Sequence, residues 1–295
     1  MKYYIVDAFT DKPFGGNPAG VVLVEDGKYP AEDWMLQVAA ELRYSETAFA
    51  RRDGDREYTL RYFTPRAEVE LCGHATIATF GLLHRLGLPE GDCLCHTQTG
   101  DLHIVVGRRV MMQMAAPRIE RTLSPEEAAE AYRAVGATAA EPQPQVVYAG
   151  LPDIMLPVSN LAALHALQPD MEAVEALTRR LGVVSIHAYA QAGDGFAAHA
   201  RDFAPLYGIP EESATGTANA SLAYHLSCHG LVDGPDCRIM QGEAMGRPSV
   251  VDVHFAADGN VYVGGPAAVV AEGTLWVPME SAFSDWLTSG MALKR

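Results

Sequence analysis

Two stretches constrain this chain more than any others. Cys72 to His84, CGHATIATFGLLH, contains no Asp, Glu, Lys or Arg and has helical spacing of apolar residues. A second stretch after Gly216, TANASLAYHLSCH, has the same charge-free character. A helix that is apolar on every face belongs inside a protein. The segments that lead into the two helices also match. One begins at Phe63 as FTP and the other at Phe203 as FAP. Each then crosses an acidic loop, with Glu68 and Glu70 in the first and Glu211 and Glu212 in the second. Each reaches a glycine step, Cys72-Gly73-His74-Ala75 or Thr215-Gly216-Thr217-Ala218. The pattern reads as an internal duplication.

A buried helix start has a chemical consequence. Its first amides have no acceptor within the helix, and the positive end of its dipole favours an anion. Glycine lets a ligand come close to the backbone. Two such starts facing one cleft would grip a small anion from both sides, each for about 0.3–2 kcal/mol.

The rest of the chain fits this frame. A length of 295 residues suggests two domains, and short strands with few helices indicate an α+β architecture. Strands are expected at Tyr3–Ala8, Val21–Val24, Ser45–Ala50 and Tyr58–Phe63, and as a hairpin of Leu102–Val106 with Val110–Met114. A helix from Leu123 to Val135 would be capped by Ser124, with Glu127 in capping-box position. The boundary is set as 1–118 and 119–295, with the C-terminal segment free to pack back on the first domain.

The formal net charge of −15 repels phosphate backbones, so nucleic acid is not an expected partner. No apolar run reaches the roughly 18 residues of a membrane span, and the first residues, MKYYIVDAFT, lack a signal-peptide pattern. Five cysteines, an odd and sparse set, do not make a secreted disulfide framework. A cytoplasmic location is expected. Cys93-x-Cys95-His96 lacks the spacing of a zinc knuckle, and His225 with His229 lack a metalloprotease glutamate, so no metal is expected. Dinucleotide and nucleotide glycine motifs are absent, and no cofactor is expected.

Glu46 stands in an otherwise uncharged stretch, Ser45 to Ala50. A carboxylate there loses hydration and suits proton transfer near neutral pH. His74, in the first turn of its helix, can donate to a substrate or help move a proton. Asn17, in the glycine-rich loop with Gly15, Gly16 and Gly20, either bonds a substrate or closes a turn.

These residues fall within a longer series of motifs. They are Phe14-Gly15-Gly16-Asn17-Pro18-Ala19-Gly20, Ser45-Glu46-Thr47-Ala48-Phe49, Phe63-Thr64-Pro65, and Glu68-Val69-Glu70-Leu71-Cys72-Gly73-His74-Ala75-Thr76. Gly150-Leu151-Pro152, Phe203-Ala204-Pro205, Ala214-Thr215-Gly216-Thr217-Ala218, and Gln241-Gly242 with Gly246-Arg247-Pro248-Ser249 follow in order. With them the chain resembles the PhzF family of phenazine-biosynthesis-like isomerases, within the diaminopimelate epimerase and proline racemase fold. The resemblance implies two similar domains, each a β-barrel around a central helix, with the active site between them and homodimeric assembly. It implies general acid/base work by Glu46, supported by His74, Glu212 and Thr217. Asn17, Gly73, Ala75, Ser213, Thr215 and Gly216 would hold a small carboxylate substrate.

The second half departs from the family's usual Glu-Asp-Pro-Ala-Thr-Gly-Ser: it reads Glu211-Glu212-Ser213-Ala214-Thr215-Gly216-Thr217. Charge and hydroxyl are kept, but pocket shape changes. Racemases of the superfamily use two opposed thiols. Cys72 stands at the first position, but Thr215 stands at the second, so a two-thiol mechanism is not expected. The expected activity is a proton shift on a small carboxylic acid. The alternatives are an amino- or hydroxy-acid racemase or epimerase with non-thiol bases, or a non-catalytic binder of small anions.

Overall fold

The computed structural model describes residues 1–25 and 27–276. Residues 277–295, the end of the second expected domain, lie outside the described residues. The first half runs β1 (Lys2–Ala8), β2 (Asn17–Val24), α1 (Glu32–Leu42), β3 (Thr47–Arg52), β4 (Glu57–Phe63), β5 (Glu68–Val69), α2 (Gly73–Arg85), β6 (Gly91–Thr97), β7 (Gly100–Val106) and β8 (Val110–Met114). A connecting β9 (Arg118–Thr122) and α3 (Pro125–Val135) follow. The second half runs β10 (Gln145–Tyr148), β11 (Pro152–Pro157), α4 (Leu161–His165), α5 (Met171–Leu181), β12 (Ile186–Ala190), β13 (Ala198–Ala204), β14 (Ile209–Glu212), α6 (Gly216–Cys228), β15 (Asp236–Gln241), β16 (Ser249–Phe255) and β17 (Val261–Gly265). The last described strand is β18 (Ala267–Thr274).

The duplication is written in the strand pairing. β1–β2 is antiparallel, β2–β3 parallel, β3–β4 antiparallel and β4–β6 parallel, and β6–β7 and β7–β8 are antiparallel. From β10 the second half repeats this series through β11, β12, β13, β15, β16 and β17 with the same directions. The short β5 pairs with β4 as β14 pairs with β13. The halves are stitched together in three places. β8 pairs with β17, β9 pairs with the first strand of the second half, and β18 returns to pair with the first strand of the first half.

Each half curls its strands around one apolar helix. α2 packs against β1, β2, β3, β7, β8 and β18, and α6 against β9, β10, β11, β15, β16 and β17. The expected α+β fold, two barrels each around a central helix, is the fold observed. In α2 all residues from His74 to Phe80 are buried, and Thr76 and Thr79 satisfy their hydroxyls by donating to Cys72 O and Ala75 O at 2.8 and 2.7 Å. Burying Ile77, Phe80 and Leu82 stabilises by about 1.5–3 kcal/mol each. One apolar cluster spans both barrels, and smaller ones lie under α1 and under α3 with α5. The expected capping box at Ser124 is present, with both bonds formed. No helix among the described residues is long and apolar enough to cross a membrane.

Candidate active site

The two buried helices begin side by side, and the candidate chemistry collects at their starts. α2 and α6 touch. Neither start is capped by a side chain, whereas α3, α4 and α5 begin on Ser124, Asn160 and Asp170 caps. A Cβ on Gly73 would sit 3.4 Å from Met112 Cε, and one on Gly216 3.4 Å from Val263 Cγ1. Met112 and Val263 lie in β8 and β17, corresponding strands. The glycine steps are therefore equivalent by structure as well as by sequence.

Glu46, His74 and Glu212 meet there. His74 Nε2 lies 3.4 Å from Glu46 Oε2, and His74 Nδ1 lies 3.9 Å from Glu212 Oε1. Glu46 stands just before β3 rather than within a strand beginning at Ser45. Its carbonyl still accepts from Gly20 N at 3.2 Å, while its side chain turns to the start of α2. Ser45 Oγ is 3.4 Å from His74 Nε2, a neighbour that sequence reasoning passed over.

Glu212, at the end of β14, is held tightly. Asn17 donates to its Oε1 at 3.0 Å, and Thr215 Oγ1 lies 2.6 Å from its Oε2. Burial pushes its carboxyl up to about 8, with the Asp202 charge adding to the push. Glu212 therefore keeps a proton near neutral pH. His74 is pulled below its ordinary value by burial, opposed by the Glu46 charge, which leaves a neutral imidazole at pH 7. Burial, reinforced by Glu46, pushes the Cys72 thiol well up. Its Sγ is 3.4 Å from His74 Nδ1.

The other expected site residues divide. Gly73 and Ala75 stand in the first turn of α2, and Gly216 and Thr217 in that of α6. Thr217 is half-buried, with its methyl beside Gly150. Ser213 is buried and donates to Gly16 O at 3.1 Å. Thr215 directs its amide to Gln241 Oε1 at 3.1 Å and its hydroxyl to carboxyl groups. Asn17 also donates to Ala214 O at 3.0 Å, which ties the glycine loop of the first half to the second half.

A buried polar group behind Glu212 escaped sequence reasoning apart from Gln241, which stands in the Gln241-Gly242 motif. It comprises Asp153, Ser185, His187, Asp202, Asn219 and Gln241. The available signal was an Asp and a His in strands otherwise rich in Ala and aromatics, IHAYA and AHARDFA.

Glu46, Cys72 and His74 each offer a donor atom within 4.8 Å of the others, near enough for one cation. The neutral buried thiol makes this a poor grip, because the thiolate is the ligand form. Cys93 and Cys95 point into the barrel while His96, between Glu57 and Asp101, faces outward, so that sequence trio does not converge. The rings of His225 and His229 lie 4.6 Å apart, tilted at 58°, and both contact Gln145 Oε1.

Residues 6–273 match the family model described as phenazine biosynthesis-like protein, PhzC-PhzF. The chain belongs to this family. An uncharacterized isomerase of Deinococcus radiodurans is 37% identical over 298 residues, covering 92% of this chain and 94% of that protein. The trans-2,3-dihydro-3-hydroxyanthranilate isomerase of Pseudomonas fluorescens is 31% identical over 263 residues, covering 85% and 88%. The crystal structure of a PhzF-family phenazine biosynthesis protein from Bacillus anthracis superposes with a TM-score of 0.82 at 24% identity, covering 94% of this chain and 99% of that one. This PhzF-family member thus has relatives named as isomerases, and it shares its fold with the Bacillus anthracis protein.

Proposed function

We propose that this protein is a cofactor-independent isomerase that moves a proton on a small carboxylic acid. The observation that carries the reading is the meeting of Glu46, His74 and Glu212 at two uncapped helix starts, one from each half. Glu46 takes a proton from a carbon beside an unsaturated or carboxylated system. Glu212, which holds a proton near neutral pH, delivers one to another carbon of the same framework. No electrons leave the substrate, its proton count is unchanged, and the proton gained by Glu46 returns to Glu212 through His74, which lies between them, before the next turnover. The neutral His74 between them positions the substrate and stabilises charge as it shifts. The amides at Gly73 and Gly216 hold the carboxylate. The Pseudomonas fluorescens relative, named for a dihydro-hydroxyanthranilate, supports a ring acid with a mobile proton as the substrate class. A cytoplasmic location and a homodimer belong to the same proposal, and light scattering tests the second.

The test is proton exchange in deuterated water, followed by nuclear magnetic resonance across a panel of small unsaturated acids. The wild-type protein is expected to place deuterium on carbon in one of them. Equal incorporation by Glu46→Gln would remove Glu46 from the base role.

A further inference from the structure

Behind Glu212, two hydroxyls each lie between two carboxyl groups. Thr215 Oγ1 is 2.6 Å from Glu212 Oε2 and 3.0 Å from Asp202 Oδ2. Ser185 Oγ is 2.6 Å from Asp202 Oδ1 and 2.8 Å from Asp153 Oδ1. A hydroxyl carries one proton and cannot donate to two oxygens at such distances. Both contacts of a bridge become hydrogen bonds only when one flanking carboxyl is neutral and donates to the hydroxyl oxygen. Two bridges among three carboxyls therefore demand two carboxyl protons.

The surroundings decide where those protons sit. Asp202, 1% exposed, lies in both bridges and also faces His187 Nδ1 at 3.0 Å, so it is the member best supplied with donors. Asp153, 2% exposed, has its second oxygen, Oδ2, buried without a partner. An unpartnered carboxylate oxygen in such a place is costly, and the carbonyl of a neutral acid costs much less. We propose that Asp202 is the ionised centre of a three-carboxyl chain, accepting from Thr215, Ser185 and His187, and that it keeps Asp153 and Glu212 protonated. Asp202 is then a positioning residue that acts through Glu212. Its charge and its Thr215 bridge make Glu212 a proton donor rather than a second base. The raised proton affinities of Glu212 and Asp153, due first to burial and next to Asp202, agree with this pattern.

The groups facing Glu212 are Asn17 of β2, Glu46 ahead of β3, Cys72 and His74 at the start of α2, Asp202 of β13, Thr215 at the start of α6, and Gln241 of β15 through the backbone. Asp202 and Glu46 are the carboxyl groups that raise its proton affinity by charge. Of these two, Asp202 alone is bridged to Glu212 through Thr215.

The donor role of Glu212 rests on the proton-shift reading, but the test uses no substrate, so the two can fail separately. Infrared spectra of the full chain, titrated by pH, read the carbonyl stretch of neutral carboxylic acids. At pH 7 the wild type is expected to show two buried neutral carboxyls. Asp153→Asn should remove one and Glu212→Gln the other. Asp202→Asn should lower the proton affinity of Glu212 by about tenfold or more, seen as its band vanishing at lower pH. If Asp202→Asn does not fold, Thr215→Val breaks the same bridge and should move the Glu212 carbonyl band. Absence of both bands from the wild type at pH 7 would overturn the proposal. So would a Glu212 band that neither Asp202→Asn nor Thr215→Val disturbs.

Discussion

The two halves share one topology and differ in what lines the base of their central helices. The registers that pair Thr47 with Phe63 and Ile186 with Phe203 place Glu46 and Ser185 at corresponding positions. They also match Tyr62 with Asp202 and Ala48 with His187. The parallel ladders match Ala19 with Asp153. In the first half Tyr62 and Thr76 share one buried hydrogen bond of 2.7 Å among apolar neighbours, and the acid, Glu46, stands forward at the site. In the second half Asp153 and Asp202 sink behind the site, and among the described residues Glu212 is the acid that reaches it. One scaffold thus carries an acid forward at the first half's helix start and, across from it, Glu212, whose carboxyl is pushed up to about 8 by burial first and by the Asp202 charge next.

Removing the forward acid should have the largest effect. Glu46→Gln is expected to slow carbon-proton exchange by about 10²–10⁴-fold with little change in melting temperature. Exchange at the wild-type rate would break the contrast between the halves.

A second comparison uses matched ion pairs. Arg61 with Glu68 and Arg201 with Glu211 are both two-pronged, with distances of 2.7 and 2.6 Å in the first and 2.9 Å twice in the second. Arg201 is the more buried and also donates to Leu164 O and Leu167 O. Arg201→Ala should destabilise by about 3–5 kcal/mol in urea unfolding. Arg61→Ala should cost less, about 1–3 kcal/mol.

The pH dependence sharpens the same contrast. Glu212 moves from an ordinary 4.5 to about 8 on folding, so the folded chain binds that proton more tightly than the unfolded chain. Its stabilising contribution is full below about 4.5 and is lost as pH rises toward 8. The stability of wild type minus that of Glu212→Gln should therefore decline across this window in urea titrations. Exchange activity should fall on the alkaline side of about 8, where Glu212 loses its proton.

The smallest effects should be symmetrical. Gly73→Ala and Gly216→Ala each place a methyl 3.4 Å from one flexible or branched side chain. Each is expected to change stability by less than about 1 kcal/mol while weakening binding of a substrate acid measured by calorimetry. Unequal loss would show that one helix start carries most of the grip.

The parts of the fold that depend on short stretches were legible in the sequence. Two charge-free helices behind Phe-x-Pro steps revealed the repeat, and Ser124 with Glu127 revealed a helix start. Glu46, His74 and Glu212 were legible as chemistry because each sits beside a recognisable motif. Asp153, Ser185 and Asp202 were not. They lie up to 49 positions apart and meet only through strand register, which periodicity does not report. The helix α5 was not legible although Asp170 caps it twice, because its buried face holds only Val174, Leu177 and Thr178, too narrow an apolar stripe to stand out. The return of β18 to β1 was open in the sequence, since its partners are more than 250 residues away.

That return has a consequence for how such a molecule can be divided. The strand after β8 completes the other half's edge, and the strand after β17 completes the first half's edge. In a chain carrying a single copy of the unit, the opening strand would keep its own second strand on one side and lose the other half's strand on its outer edge. It could close its edge only by borrowing from a second molecule, as a strand-swapped pair. Cutting the gene at its midpoint should therefore yield two fragments that are incomplete apart and that reassemble when mixed.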